Sequence, residues 1–267
     1  MPPGTKFPYN PSTSIPNLSG KVILITGANT GLGKATALEL SRHGPAEIWM
    51  ASRDVTKGQK TVSEVQATAS PGTKIQFLQL DLSSFASIKS AAGAFLADAE
   101  RLDVLYLNAG IFGAPAALTE DGYEVHIGIN HLGHALLLKL LTPLLLSSAA
   151  LPPGSDVRVL GNLLYAQEVA ERYPQFKTVA VRYGEIGTEL FSREAGDEQN
   201  EVAPLHDIGI EEGVKNPLWA GTAPEVVSGT YYEPVGVGGV ATGLAHDREM
   251  QNKLWEWTKS ELAGHEI

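Results

Sequence analysis

The stretch that decides the fold is Thr26-Gly27-Ala28-Asn29-Thr30-Gly31-Leu32-Gly33. It follows an apolar run at residues 21–26 and opens a helix-like run at residues 32–43. Three glycines in such a turn let the backbone approach a pyrophosphate without interference from Cβ atoms. The start of the helix offers unpaired N–H groups and the positive end of its dipole to the phosphates. The spacing G-x3-G-x-G differs from the commoner G-x-G-x-x-G, but its strand–turn–helix setting favours a dinucleotide site over a purely structural turn.

The residues of this turn are the first candidates for contact with a cofactor. Because backbone N–H groups at a helix start bind phosphates, we expect contacts from six residues of the turn and from the lysine that follows it. That lysine has a second interpretation, as a solvated side chain of the first helical turn, and both stay open. The candidates are Gly27, Asn29, Thr30, Gly31, Leu32, Gly33 and Lys34.

Short apolar runs alternate with helix-like stretches along the chain. Near-continuous runs of this kind are typical of parallel strands that are covered on both faces. Strands are predicted at residues 21–26, 47–51, 74–79, 103–107, 156–160 and 177–182, and helices at 32–43, 55–68, 85–100 and 121–146. Strand–helix alternation with right-handed crossovers predicts an α/β fold, a Rossmann-type doubly wound parallel sheet.

The C-terminal third is less regular. Helices are predicted at 211–220 and 247–262, with a last strand at 230–233, and in the last helix Met250, Leu254, Trp257 and Leu262 fall near one face. No internal repeat or linker marks a second domain. We therefore predict one dinucleotide-binding domain with C-terminal substrate-side elements, residues 18–267, after an irregular arm at residues 1–17.

Composition excludes several classes of protein. The chain carries 20 basic and 30 acidic side chains, which argues against binding to a nucleic-acid backbone. It has no cysteine, and its histidines lack acidic neighbours at metal-ligand spacing, so no disulfide, thiolate or metal site is expected. The N-terminus lacks the apolar core of a signal peptide, and the longest apolar stretch, 135–146, contains Lys139 and Pro143 and is too short to span a bilayer. We expect a cytoplasmic protein without a membrane span.

Arg53 bears on the choice of cofactor, because it lies twenty residues after Gly33 at the end of the second predicted strand. In NAD-binding folds an acidic residue there accepts a hydrogen bond from the ribose 2′-hydroxyl, whereas an arginine pairs with the 2′-phosphate of NADP. Arg53 therefore favours NADP over NAD. The neighbouring Asp54 keeps NAD open as the alternative.

Two further segments follow predicted strands at the edge of the sheet where ligands bind. Asp81 and Leu82 follow the third strand, where a carboxylate can accept a hydrogen bond from the adenine amino group. Asn108, Ala109 and Gly110 follow the fourth strand, where small residues let the backbone pass beneath the adenosine ribose. Both segments are candidate cofactor-binding residues.

Together these segments resemble the short-chain dehydrogenase/reductase family, and the resemblance covers residues 18–264. The stretch Asn130-His131-Leu132-Gly133-His134 is most similar to the retinol-dehydrogenase-like and protochlorophyllide-reductase-like branches. The resemblance implies hydride transfer between a nicotinamide ring and a small-molecule carbonyl or alcohol. It also implies that Asn130 is the asparagine of a catalytic tetrad and that Thr188 contacts the nicotinamide carboxamide.

The other three members of that tetrad are missing from their expected place. The family uses a tyrosine as general acid/base, a lysine four residues later that lowers the tyrosine pKa, and a serine that polarises the substrate oxygen. Here the fifth predicted strand ends at Leu160 and runs directly into Gly161 and a stretch that resembles the family helix after the lysine. A few dozen residues are absent. Their loss is expected to shorten the strand or the helix and to expose apolar side chains such as Val159 and Leu164.

One Tyr-x-x-x-Lys pair does occur, at Tyr173 and Lys177, but Pro174 prevents the helical turn that a catalytic pair needs. Tyr165 has Val169 four residues later, and so has no lysine partner there. We therefore expect an NADP-dependent oxidoreductase by resemblance, with impaired catalysis. The alternatives left open are a non-catalytic dinucleotide-binding or scaffold protein and a non-redox use of the pocket. Assembly as a homo-oligomer also stays open.

Overall fold

The apolar run before the glycine turn forms β1 (Val22–Thr26), the central strand of a parallel sheet. All five of its residues are buried, because helices cover both faces of the sheet. It pairs in parallel with β2 (Glu47–Ser52) on one side and with β4 (Val104–Tyr106) on the other. The side chains of β1 alternate between two apolar cores, one on each face of the sheet.

The computed structural model describes residues 8–151, 155–161, 163–182, 209–239 and 247–267. Its other strands are β3 (Lys74–Gln79), β5 (Arg158–Leu160), β6 (Lys177–Val181) and β7 (Tyr231–Tyr232). The strand order is β3-β2-β1-β4-β5-β6-β7, and every neighbouring pair is parallel. The order reverses between β1 and β4, which leaves a crevice at the carboxyl ends of these strands. The predicted Rossmann-type doubly wound sheet in a single domain is confirmed.

Helices connect the strands and cover the sheet. Four of them begin at an acidic or hydroxyl side chain, Asp54, Ser84, Glu124 or Asp247, that accepts a hydrogen bond from a backbone N–H of the first turn. The helices are α1 (Pro11–Ser14), α2 (Gly31–Ser41), α3 (Val55–Gln66), α4 (Phe85–Asp98), α5 (Val125–Ile127), α6 (His134–Ala149), α7 (Leu163–Arg172), α8 (Ile210–Gly213), α9 (Lys215–Thr222) and α10 (Arg248–Glu261), with a π-helical segment (Gly128–Gly133) before α6.

The most apolar helix lies in the core. α6 and the turns before it form a continuous helical stretch, Val125–Ala149, with mean hydropathy 1.5. By length and composition this stretch could cross a membrane, and it is the one such helix among the described residues. In the fold, 67% of its apolar 18-residue window is buried, because the helix packs against α4 and the sheet. Its apolar composition is thus accounted for by its place in the core.

The arm before β1 is partly ordered on the domain. The structure has the short helix α1 within the stretch predicted to be irregular, and Asn10 caps this helix. Tyr9, Ile15 and Leu18 are buried in the core that also contains residues of α2 and α9. The sequence gives little sign of this, because the arm is rich in proline and its three apolar anchors follow no helical or strand period.

The connection after β5 is tighter than in most α/β units but free of the damage that we expected. Two residues separate the end of β5 at Leu160 from the start of α7. β5 has three residues, and all of them pair with the equally short β4. The predicted exposure of Val159 is wrong, because this side chain is fully buried, and Leu164 is half-buried. Two residues suffice because such connections need no more when the helix packs directly back onto its strand.

The predicted apolar face of α10 is also partly wrong. Leu262 is buried as expected, but Met250 and Trp257 are each 36% exposed. The face that packs on the domain contains Gln251 and Thr258 instead, one residue further along the helix. The Thr258 hydroxyl hydrogen-bonds to a buried histidine ring, so a polar contact displaces the apolar stripe by about 100°.

Candidate functional site

The glycine turn forms a cradle that is open to a phosphate group. Gly27 has φ +66°, and a Cβ atom on Gly33 would lie 2.4 Å from the Gly27 carbonyl oxygen and 2.7 Å from Asn108 Nδ2. α2 begins at Gly31, and its cap residue Thr30 makes no side-chain hydrogen bond to the first turn. The backbone N–H groups of that turn are therefore available to an anion. The residues present fit the pyrophosphate of a dinucleotide.

The other predicted residues of the turn anchor it to the domain. The Asn29 carbonyl oxygen accepts a hydrogen bond of 3.1 Å from the Thr61 hydroxyl on α3. Leu32 packs against the core that contains β1. The Lys34 ammonium lies 2.6 Å from a carboxylate oxygen of Glu64, which lowers the Glu64 pKa. Both side chains of this pair are partly exposed, and both interpretations of Lys34 stay open.

Thr26 joins the turn to the fourth strand, a role that the sequence analysis missed. Its carbonyl oxygen accepts a hydrogen bond of 3.0 Å from Asn108 Nδ2, and its hydroxyl oxygen accepts one of 3.0 Å from the Ala109 N–H. The same hydroxyl lies 3.0 Å from His134 Nε2. A buried threonine at the end of a strand was the available signal, but it is indistinguishable from an ordinary β-branched core residue.

His134 completes this network as a neutral ring. Burial lowers its pKa to about 4, and no charged partner opposes that shift. Its Nδ1 lies 3.3 Å from the Asn130 carbonyl oxygen. One neutral tautomer satisfies both contacts, because Nδ1–H can donate to that oxygen while Nε2 accepts from the Thr26 hydroxyl. The turn and the π-helical segment are thereby tied together by uncharged hydrogen bonds.

Thr26→Val is expected to lower the free energy of unfolding by about 1–3 kcal/mol, because it removes the acceptor of the Ala109 N–H and leaves His134 without a donor. Urea unfolding measures the loss. Thr26→Ser keeps the hydroxyl and is the matched control, with a smaller effect expected. Equal destabilisation by the two substitutions would show that the methyl group matters and the network does not.

The end predicted to bind the adenosine places Arg53 beside Asp81. The Arg53 side chain is 70% exposed, and its Nε lies 4.0 Å from Asp81 Oδ2. The other Asp81 oxygen accepts hydrogen bonds from the backbone and the hydroxyl of Ser83. Leu82 is buried, and its carbonyl lies 2.6 Å from the position that a Cβ of Gly133 would take, so it packs against the π-helical segment.

Asn130 lies in the π-helical segment and holds the loop after the fourth strand. Its Oδ1 accepts from the Ile111 N–H and its Nδ2 donates to the Ile111 carbonyl, each at 2.8 Å. A Cβ on Gly110 would lie 3.2 Å from Asn130 Oδ1, so a small residue is needed there. The structure thus brings Asn130 to the same edge of the sheet as Asn108 and Ala109. Thr188, the predicted contact of the carboxamide, lies outside the described residues.

A cleft of about 310 Å³ lies beside this network at the carboxyl edge of the sheet. His131 and Tyr165 form one wall, with their ring centroids 5.1 Å apart and nearly perpendicular. Burial lowers the pKa of His131 to about 4, so that ring is neutral. The described lining carries no charged side chain and consists of Leu107, Asn108, Ala109, Asn130, His131, His134, Ala135, Gly161, Tyr165, Ala180, Val181 and Tyr231.

The Tyr-x-x-x-Lys pair lies far from this cleft in the topology of the sheet. Lys177 begins β6 at the amino edge, where its ammonium lies 3.3 Å from Asp156. Tyr173 stacks on Phe176, with ring centroids 5.7 Å apart. The carboxyl edge, where the glycine turn and Asn130 lie, is the opposite one. No other tyrosine of the chain has a lysine four residues later.

No group of three or more His, Asp or Glu side chains that could hold a metal ion occurs in the described part of the chain. The histidine and tyrosine side chains of the cleft can bind and orient an uncharged partner. Two side chains that we did not single out for the site, His131 and Tyr231, line it. Their positions depend on the approach of α10 and β7, which the sequence pattern does not reveal.

The chain matches a family profile and has relatives of known family. A profile of the short chain dehydrogenase family matches residues 21–151. A short-chain dehydrogenase/reductase of Armillaria gallica is 30% identical over 299 aligned residues, which cover 96% of this chain and 94% of the relative. Retinol dehydrogenase 11 of Homo sapiens is 47% identical over 137 residues, which cover 51% of this chain and 42% of the relative.

A solved structure shares the fold over most of its length. The short-chain dehydrogenase of Sphingobium yanoikuyae in complex with NADPH superimposes with a TM-score of 0.65 at 19% identity, covering 90% of this chain and 95% of that one. The sheet order, the glycine turn and the near-full-length relative all indicate the same family. This chain belongs to the short-chain dehydrogenase/reductase family of oxidoreductases.

Proposed function

We propose that this chain binds NADP and that its hydride transfer to or from a small-molecule carbonyl or alcohol is impaired. The observation that carries the proposal is a mismatch between two halves of one site. The glycine turn and the open start of α2 form a cradle that fits a dinucleotide. In the adjoining cleft, the described lining contains neither a lysine nor a tyrosine with a lysine partner.

The chemistry follows from what is present and what is missing. A bound nicotinamide would supply or accept hydride. This chain would position it through the turn, Asn108 and Ala109, but a substrate oxygen would lack the usual serine donor and lysine-activated tyrosine. The aligned length of the Armillaria gallica relative is consistent with a shortened chain, because 299 aligned positions exceed the 267 residues of this sequence. The relative therefore has residues that this chain lacks.

The preference for NADP over NAD rests on two neighbouring side chains. Asp54, which could have accepted from a ribose 2′-hydroxyl, instead caps α3, where its Oδ1 accepts a hydrogen bond of 2.9 Å from the Lys57 N–H. Arg53 is exposed and has one weak contact, at 4.0 Å from Asp81. A guanidinium in this state can pair with a 2′-phosphate through charge-assisted hydrogen bonds.

Arg53→Ala is expected to erase the preference for NADP, because charge-assisted hydrogen bonds are worth about 1.5–3 kcal/mol, which is roughly 10- to 100-fold in affinity. Calorimetric titration of each protein with NADP and with NAD measures the ratio of the two dissociation constants. Affinity for NAD should change little.

Lys57→Ala is the matched control, because it removes an exposed cation from the first turn of α3, close to Arg53 in the sequence. It should leave the ratio of the two affinities within about twofold of the original, since a screened surface charge contributes little. Equal affinities for NADP and NAD in the unmodified protein would refute the proposed preference. An absence of binding to either cofactor would refute the proposed function itself.

A second candidate function is a dinucleotide-binding scaffold without any catalysis. The same uncharged cleft favours it, and a turnover assay with NADPH and a panel of aldehydes and ketones separates the two. We also propose a cytoplasmic location, supported by the burial of the most apolar helical stretch, Val125–Ala149, within the core. Fractionation of the expressing cells tests it, and recovery of the chain with membranes would contradict it.

A further inference from the structure

We propose that Tyr165 is the proton donor for a residual carbonyl reduction in this chain, acting in the cleft that adjoins the cofactor cradle. The inference rests on the proposed function, because it needs NADPH in that cradle. It assigns a chemical role to a side chain that the family resemblance leaves without one. The consequence is a weak, NADPH-dependent reduction of carbonyl substrates.

The fold places Tyr165 in the cleft at the carboxyl edge of the sheet. Only two residues separate β5 from α7, so the first turn of α7 lies at the carboxyl edge of the sheet. Tyr165 and Gly161 line the cleft together with Asn108 and Ala109, which hold the glycine turn. The short connection therefore brings a phenol to the place where a substrate next to the cofactor would bind.

The Tyr165 ring is held in place, while its hydroxyl has no hydrogen-bond partner within the described part of the chain. Tyr165 stacks on Trp255 with ring centroids 5.3 Å apart, and the Arg172 guanidinium lies 4.2 Å from the centroid of a Trp255 ring on α10. The His131 ring also contacts the Tyr165 ring, in a nearly perpendicular arrangement. Among the described residues, none hydrogen-bonds to the Tyr165 hydroxyl. A ligand oxygen in the cleft is thus an open acceptor for it.

The other ionisable groups of the cleft are engaged or unsuited to donate a proton. The Tyr231 hydroxyl donates to Glu233 at 2.6 Å. His134 is bound at both ring nitrogens, and His131 bonds to Thr258 through Nε2 at 2.7 Å. Both histidines are neutral, and a neutral imidazole is a very weak acid. In the described lining, Tyr165 is the group left to protonate a substrate oxygen.

The surroundings of Tyr165 decide its protonation state. Burial raises the pKa of Tyr165, the nearby Tyr173 raises it further, and Arg172 opposes the shift. His131, which faces the ring from the π-helical segment, is neutral, and the α10 contact, Trp255, carries no charge. The phenol therefore stays protonated at neutral pH. In reduction it therefore starts in the form that donates a proton, whereas the reverse oxidation starts from the scarce phenolate.

The proposed reduction transfers one hydride and one proton to the carbonyl group. The carbonyl carbon accepts hydride from NADPH, which is oxidised to NADP⁺, while the C=O π bond breaks and its electrons pass to oxygen. That oxygen takes the phenolic proton of Tyr165 and becomes the alcohol. The phenolate then recovers a proton from solvent through the open cleft, which a phenol of raised pKa does readily.

The test compares the full chain with Tyr165→Phe, and uses Tyr173→Phe as the matched control outside the cleft. NADPH oxidation with aromatic aldehydes, at high protein concentration, should fall at least about tenfold in Tyr165→Phe and stay unchanged in the control. The rate should be level from roughly pH 6 to pH 10, without the inflection of a lysine-activated tyrosine.

A second readout is independent of turnover. The infrared carbonyl band of a bound, unreactive aromatic amide should lie at lower frequency in the original protein than in Tyr165→Phe, because a phenol that donates to the oxygen weakens the C=O bond. Binding of NADPH without any reduction above the protein-free rate, or with a rate and a carbonyl band that Tyr165→Phe leaves unchanged, would overturn this inference alone. Failure to bind NADPH would overturn the proposed function.

Discussion

Reduction of carbonyl substrates by this chain is expected to be roughly 10²–10⁴-fold slower than by a family member that keeps the serine and the Tyr-x-x-x-Lys pair. Loss of one positioned acid/base has a cost of that order, and here the oxygen-polarising serine and the lysine are missing as well. Asn130 keeps its place, but its side chain binds the Ile111 backbone and has no proton to transfer. Steady-state rates with NADPH and a common panel of aldehydes measure the difference.

Restoring the missing segment is the sharpest form of this experiment. A Ser…Tyr-x-x-x-Lys segment from a related reductase, inserted between Leu160 and Gly161, should raise the rate by a large part of that factor. The same insertion with its tyrosine changed to phenylalanine is the matched control, because it keeps the added length and packing. Family-like rates in the unmodified chain would contradict the prediction. If Tyr173→Phe abolished such rates, the pair at Tyr173 and Lys177 would be catalytic after all.

Sequence reasoning correctly predicted those parts of the fold that have strong local signals. Buried parallel strands are continuous apolar runs, so β1 to β6 were predicted within about two residues at each end. The glycine turn was recognisable because Gly27 and Gly31 need positive φ and Gly33 has no room for a Cβ. The doubly wound parallel sheet was predicted from the alternation of strands and helices with right-handed crossovers.

The parts that it did not reach depend on contacts between distant segments. The Thr26–His134 contact joins residues 108 positions apart, and neither residue type announces it. Asp54 was read as a possible ribose ligand, because only the structure shows its carboxylate on the Lys57 N–H. The docking of α10 through Thr258 is polar, so an apolar pattern could not locate that face.

The connection after β5 illustrates how an energetic argument can fail. We expected exposed apolar side chains, because a lost loop should shorten one of its neighbours. The neighbours adapt instead: β5 is three residues long, which matches β4, and Val159 stays in the core. The first turn of α7 then lies at the cleft, which puts Tyr165 beside the site. For stability, we expect the amino edge of the sheet, where the strands begin, to matter more than the connection after β5.

Asp103→Ala is expected to lower the free energy of unfolding by about 3–5 kcal/mol, because it breaks a buried ion-pair network. The Asp103 side chain is fully buried before β4, 2.9 Å from the Lys21 ammonium and 2.6 Å from Arg101. Its second oxygen accepts a hydrogen bond of 2.9 Å from the Val22 N–H. Its backbone also bonds to Val22 and Arg158, so it joins the amino ends of three neighbouring strands. Urea unfolding measures the loss, and the melting temperature should fall by roughly 10 °C.

The size of this effect comes from the geometry of the carboxylate and not from the removal of an acidic charge as such. Asp98→Ala is the matched control, because Asp98 is the exposed last residue of α4 and its loss should change stability by less than about 0.5 kcal/mol. Asp103→Asn keeps the shape and one acceptor for the Val22 N–H, so its effect should fall between the two. Because Lys21 and Arg101 are each about a quarter exposed, they can turn toward water once the carboxylate is gone. A loss below about 1 kcal/mol in Asp103→Ala would show that this hydration offsets the broken network, and that the amino edge does not hold the sheet together.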